Sequence, residues 1–236
     1  MLFLLPPSET KRSGGGSLTI DQVALTFGGL NVTREVVIAA AGAESLLTAP
    51  TMRALDRYTG TLYSAIHGRG LKGSPTEHNV LTSTEMARAK STVLIQSAMF
   101  GLIPSTDLIP EYKLSPTKNV KGVNLKRVWA EAHLAIWPRL TGGVIIDLRS
   151  KAYAELAPVP DEIEHYRVTV EVEYSDGSRK TLNHFNKKAK GQLVRASLTA
   201  KKAPETIAEL KVCAKAAGLS IKVSGQHLTI VTREAT

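Results

Sequence analysis

Three rhythms of apolar and polar residues run along this chain. Leu2–Leu5 is an unbroken apolar run, which suits a strand covered on both faces, as in an α/β sheet. Residues 92–95 and 144–148 read the same way. A helical rhythm appears in 33–47, where Val36, Val37, Ala40 and Ala41 share a side and Thr33 is a candidate cap. It returns in 125–137, an amphipathic helix that Pro138 ends. From His165 the period becomes two: Tyr166, Val168, Val170 and Val172 alternate with Arg167, Thr169, Glu171 and Glu173, the mark of a half-exposed strand.

Punctuation residues divide the rest. Pro6-Pro7 stops the first strand and opens a polar loop that runs into Gly14-Gly15-Gly16. That glycine run lacks phosphate-loop spacing and reads as a mobile surface loop. Residues 50–54 predict a short helix, 56–60 a turn, 62–67 a short helical piece and 68–75 a loop. Thr82 with Glu85 offers a capping box. The chain turns sharply over 97–104, and Ser105, Thr106 and Asp107 can cap a following helix. Residues 175–178 predict a hairpin turn with 179–185 as its return strand. Helices follow over 187–200 and 203–217, the second stopped by Gly218. A strand pair, 219–223 and 227–232, closes the chain. The sum is α/β to α+β: a mixed sheet with helices, in one domain over 1–236, with a candidate sub-boundary near 160 where the period changes.

Composition narrows the chemistry. The 236 residues are 43% hydrophobic, enough for a real core, and carry a net charge of +9. Between 179 and 222 stand eleven lysines and arginines against only Glu205 and Glu209, so this stretch holds the whole excess. Such clustering favours an anionic partner: nucleic acid, nucleotide phosphate or a membrane surface. On a helix, Lys187, Lys190 and Val194 share one face, and Lys188, Gly191 and Arg195 a neighbouring one. Gly191 would let a phosphate or a second backbone come close. Aromatic residues, at 5%, are too few for extensive base stacking. No run approaches the roughly 20 apolar residues of a membrane span, so no membrane partner is expected. Residues 1–5 are too short for a signal-peptide core. With a single thiol and no export signal, the cytoplasm is the expected compartment.

Candidate chemistry is sparse. The six histidines show no metal-ligand spacing, so no metal and no cofactor are assigned. Cys213 has no activating partner in sight and reads as a small buried residue. Asp147 at the end of an apolar run is either a catalytic carboxylate or a strand-end residue bonding a loop. Tyr63 could handle a proton. Tyr58, Tyr63 and Tyr112 line a groove or fill a core, and Trp129 belongs in the core.

Several segments, in order, resemble the peroxide stress protein YaaA family. They are residues 4–11 (LLPPSETK), Arg57-Tyr58-Thr59-Gly60 with Leu62-Tyr63, residues 97–114, Trp129 in its helix, residues 144–148 with Ser150 and Tyr153, and Lys187-Lys188-Ala189-Lys190-Gly191. The likeness spans residue 1 to about 200. Lys190 stands where the family pattern has arginine, Asn186 replaces a small residue, and Ser8-Glu9 departs from Ala-Lys.

The resemblance implies a cytoplasmic oxidative-stress protein that binds DNA without sequence preference and limits iron-driven damage. Its basic cleft and helix-hairpin-helix-like element would make the contacts. Here the phosphate contacts would come from Lys11, Arg57, Tyr58, Gly101, Ser105, Thr106, Lys187, Lys188, Lys190, Gly191 and Arg195. In the competing expectation the same basic pocket is an enzyme site for a phosphorylated or nucleotide-linked small molecule. Lysines would hold the phosphate, and Asp147 or Tyr63 would move a proton. A third is an interaction module with an acidic protein partner. A groove wide enough for a duplex favours the first; a closed pocket converging on Arg57, Lys187 and Asp147 favours the second.

Overall fold

The computed structural model describes residues 1–68, 81–174, 176, 178–180 and 183–233. Its strands are β1 (Leu2–Leu5), β2 (Thr51–Arg53), β3 (Val93–Ser97), β4 (Gly101–Pro104), β5 (Leu108–Pro110), β6 (Ile145–Asp147), β7 (His165–Glu173), β8 (Arg179–Lys180), β9 (Ser220–Ser224) and β10 (His227–Arg233). Its helices are α1 (Asn31–Ala40), α2 (Ala54–Arg57), α3 (Thr61–Ile66), α4 (Ser83–Thr92), α5 (Leu125–His133), α6 (Lys151–Ala154), α7 (Asn183–Thr199) and α8 (Ile207–Ala216).

One mixed sheet organises the molecule, in the order β4-β3-β1-β6-β7-β10-β9 with β8 on the side of β7. The five inner strands, β3, β1, β6, β7 and β10, run parallel. Both outer strands, β4 and β9, are antiparallel to their neighbours. Phe3 of β1 sits between Val93 and Ile146, so the three apolar runs of the sequence lie side by side. All three are buried, as a parallel sheet covered on both faces requires. The sheet crosses residue 160 without a break, since β6 pairs with β7. A small ribbon of β2 and β5 stands apart. Among the described residues no helix is long and apolar enough to cross a membrane.

Local chemistry explains the helix ends. Thr82 accepts from the Glu85 N–H, and the Glu85 carboxylate accepts from the Thr82 N–H, closing the expected capping box. Thr206 and Glu209 repeat the device at α8. Arg88 donates to the carbonyls of Ser197, Leu198 and Ala200, so a side chain of α4 caps the C-terminal end of α7.

Five expectations are corrected. The helix expected over 33–47 spans Asn31–Ala40, so Thr33 lies within it and does not cap it. Residues 51–53 form β2, not a helix, because they pair with β5. Ser105–Asp107 starts no helix: the next element is β5, whose Leu108 pairs with Arg53. The helix expected over 125–137 ends at His133, and a tight turn with Pro138 near its start follows. The return strand expected over 179–185 is only two residues long, since the chain is helical from Asn183. The loop expected at 68–75 and the turn over 175–178 fall largely outside the described residues.

Candidate functional site

The carboxyl ends of β1 and β6 are adjacent, and the connections that leave them run in opposite directions. β1 leads across to β3 on one side, and β6 leads to β7 on the other. In open parallel sheets such a switch point leaves a crevice beyond the strand ends. Here a cavity of about 400 Å³ lies there. Its walls come from the loop after β1 (Pro6 to Thr10), the start of α3 (Thr59 to Tyr63), Ser150 and Tyr153 around α6, and Lys187 of α7.

Hydroxyl groups dominate this crevice. Thr59 donates to Thr10 across 2.9 Å, and Ser8 and Thr10 lie 3.2 Å apart. Gly60 keeps them together: its φ of +95° suits glycine, and a Cβ there would stand 3.4 Å from the Ser8 hydroxyl. Lys11 braces the loop from behind, donating to the Ser8 carbonyl at 3.1 Å while its ammonium lies 4.2 Å from the centre of the Tyr112 ring. Burial lowers the Lys11 pKa to about 8. Behind it Ser97 donates to Tyr112, and Tyr112 shares a 2.7 Å hydrogen bond with Tyr58. Burial pushes Tyr112 up to about 12 and Tyr58 well above its ordinary value.

A second cavity, of about 610 Å³, lies between α7 and α8 beside Ala65. Lys188, Arg195 and Lys201 line it, with Gln192, Thr199 and Cys213, and among the described residues no carboxylate does. Cys213 is half-buried on this wall rather than sunk in the core. Burial raises its thiol pKa.

The structure parts the residues that the sequence grouped. Successive helical positions are 100° apart, so the Lys187-Lys188 pair and Lys190 diverge. Lys187 faces the crevice and Lys188 the α7–α8 cavity. Lys190 turns inward, 7% exposed, and donates to the Leu148 carbonyl. Burial brings its pKa down to about 8, against the pull of nearby Asp147. Gly191 meets a second backbone, not a phosphate: a Cβ there would lie 2.3 Å from the Leu62 carbonyl oxygen. Arg195 donates to the Ile66 carbonyl and keeps part of its guanidinium at the cavity.

Other candidates are structural. Arg57 is fully buried, and its donors reach the carbonyls of Ile109, Arg12, Gly14 and Pro50. It thereby pins the glycine run, and Gly16 also donates to Thr51, so the expected mobile loop is anchored on β2. Tyr58 is a core residue. Tyr63, also buried, donates to the Pro6 carbonyl, which holds the crevice loop. Gly101 abuts the Trp129 ring, and Ser105 is buried. Thr106 follows β4 in the turn to β5. Gly101, Ser105 and Thr106 thus belong to a β-hairpin and its exit, and present no helix N-terminus to a phosphate.

Asp147 accepts from the Arg149 side chain at 2.9 and 2.8 Å and from the Arg149 N–H at 3.0 Å. Burial alone would raise its pKa, but the Arg149 guanidinium holds the carboxyl below its usual range. That is the strand-end role, not a base poised for proton transfer. Sequence reasoning missed Arg149, although its spacing of two from Asp147 at a strand end puts both on one side. Arg34 was missed too. It is buried and ties the Phe100, Leu102 and Thr26 carbonyls together. Among the described residues no three His, Cys, Asp or Glu side chains are grouped to hold a metal.

Comparison with known proteins sets this architecture in context. The model of the family described as peroxide stress protein YaaA matches residues 31–223. The chain belongs to that family. Whole-chain relatives agree with the assignment in extent. A UPF0246 protein of Corynebacterium glutamicum is 32% identical over 98% of this chain and 99% of its own. Another, of Corynebacterium efficiens, is 34% identical over 95% and 96%. A third, of Streptomyces coelicolor, is 32% identical over 89% and 87%.

Proposed function

We propose that this YaaA-family protein binds DNA through backbone phosphates, without reading sequence, on the face formed by α7 and α8. The observation that carries the reading is the wall holding Lys188, Arg195 and Lys201, which among the described residues includes no carboxylate. Lys211, Lys215 and Lys222 are exposed on α8 and β9 and form no ion pair among the described residues, whereas Lys202 is tied to Glu205 and Glu209. Exposed ammonium groups without a paired acid concentrate a polyanion nearby. The cavity is too small for a duplex, so the helices would lie along the phosphates of one strand. The contacts position DNA and carry no base information.

Fluorescence anisotropy with labelled duplexes over a salt series tests this. Three to four phosphate contacts predict a log–log salt slope of about −3 to −4. Lys188→Ala with Lys201→Ala should flatten the slope by about two and weaken all duplexes alike. A double variant that binds like the parent would sink the reading.

A further inference from the structure

The crevice at the ends of β1 and β6 lies apart from the α7–α8 face and carries chemistry that binding a DNA backbone does not use. We propose that it is a binding site for a small phosphomonoester with free hydroxyl groups, of the sugar-phosphate class. Its volume, about 400 Å³, falls in the range of small-ligand sites. It occupies the switch point of the parallel sheet, where crossovers diverge and leave the strand ends open.

The lining supplies what such a ligand needs. Lys187 brings a single exposed ammonium that forms no ion pair among the described residues, which suits one phosphate group. Tyr153 and Ser150 line it with hydroxyls that make no hydrogen bond among the described residues. Burial raises the Tyr153 pKa, so its proton stays available for donation. Tyr153 is half-buried rather than sealed in, so a ligand entering the crevice meets a phenol with no bond to give up. The Ser8, Thr10 and Thr59 hydroxyls form a connected row on the opposite wall. Glu9 stands at the same wall, and a carboxylate accepts from sugar hydroxyls while it would repel a second phosphate. One cation, one acid and many hydroxyls therefore fit a singly phosphorylated polyol better than a polyanion.

The site also has fixed walls. Tyr63 holds Pro6 from α3, and Lys11 holds Ser8 from behind. Gly191 lets α7 close on α3, which places Lys187 over the crevice. These braces order the loop before a ligand arrives, which lowers the entropy cost of binding.

Isothermal titration calorimetry on the full chain, with ribose 5-phosphate, ribose and inorganic phosphate, tests the proposal. Ribose 5-phosphate should bind saturably and at least tenfold tighter than ribose or inorganic phosphate. Tyr153→Phe removes only an unpaired hydroxyl and should weaken that binding about tenfold. Ser150→Ala should weaken it less. Both variants should keep the parent's urea midpoint and its duplex affinity. Absence of saturable binding, equal binding of ribose, or a Tyr153→Phe protein that binds as the parent does would each overturn the site. Duplex binding lost by Lys188→Ala with Lys201→Ala leaves this result untouched, so the two readings fail separately.

Discussion

Gly191 of α7 and Leu62 of α3 approach so closely that a side-chain carbon on Gly191 would sit 2.3 Å from the Leu62 carbonyl oxygen. The same carbon would lie 2.7 Å from the Ala65 Cβ. Neither neighbour can swing away, since one is backbone and the other has no flexible end. Gly191→Ala should therefore cost about 2 kcal/mol or more of stability by forcing the helices apart. Urea unfolding measures this. It should also loosen the crevice, because α3 and α7 form two of its walls.

Arg57→Lys is expected to destabilise by about 3 kcal/mol. A lysine cannot reproduce a fork that reaches four carbonyls, and those left buried without a donor carry the cost. Duplex affinity of the folded variant should stay at the parent level. A loss of DNA binding without a loss of stability would return Arg57 to the phosphate-binding set.

The Asp147–Arg149 pair is fully buried and bidentate. Arg149→Ala leaves a buried carboxylate uncompensated and should cost about 3–5 kcal/mol. The pair also sets an acid limit. Asp147 has a folded pKa below its unfolded value, so its stabilising contribution is complete above the unfolded value, about 3.9, and is lost as pH falls through the folded one. Asp147→Asn should flatten that part of the acid-unfolding curve, followed by circular dichroism.

Lys190 predicts a rise in the same direction, on the alkaline side. Its folded pKa is about 8, below the roughly 10.4 of an unfolded lysine, so the unfolded chain binds the extra proton between these values. Stability should rise with pH from about 8 toward 9.5. Lys11 adds to the rise, having the same depressed value. Lys190→Met should halve the slope of the urea midpoint against pH. An unchanged slope would mean that the buried ammonium is not what titrates.

How much of this could be read beforehand depends on the range of the interaction. The strands β1, β3 and β6 were plain as apolar runs, because burial on both faces leaves a local mark. The capping box at Thr82 was plain for the same reason. The lysine cluster was visible as charge, yet the directions taken by Lys187, Lys188 and Lys190 were not. Those depend on which side of α7 meets α3 and the sheet. Arg57 and Lys190 looked like ligand contacts because sequence shows a cation but not the carbonyls that surround it. Ser105 and Thr106 carried helix-capping chemistry, and pairing of Leu108 with Arg53 overrode it. The crevice is half legible: Ser8, Thr10 and Lys11 fall in the polar loop that Pro6-Pro7 opens, but Ser150 and Tyr153 stand out only through the family resemblance.

The place of β10 between β7 and β9 also sets an order of events during synthesis. β7 emerges long before its parallel partner, and until residues 227–233 arrive one of its edges is open along most of its length. Closing that gap requires a long-range pairing, which is slow, and an exposed strand edge is a template for pairing with other chains. The nascent protein is thus most vulnerable to aggregation while its C-terminal strand is still being made, even with α7, which packs against β7, already folded.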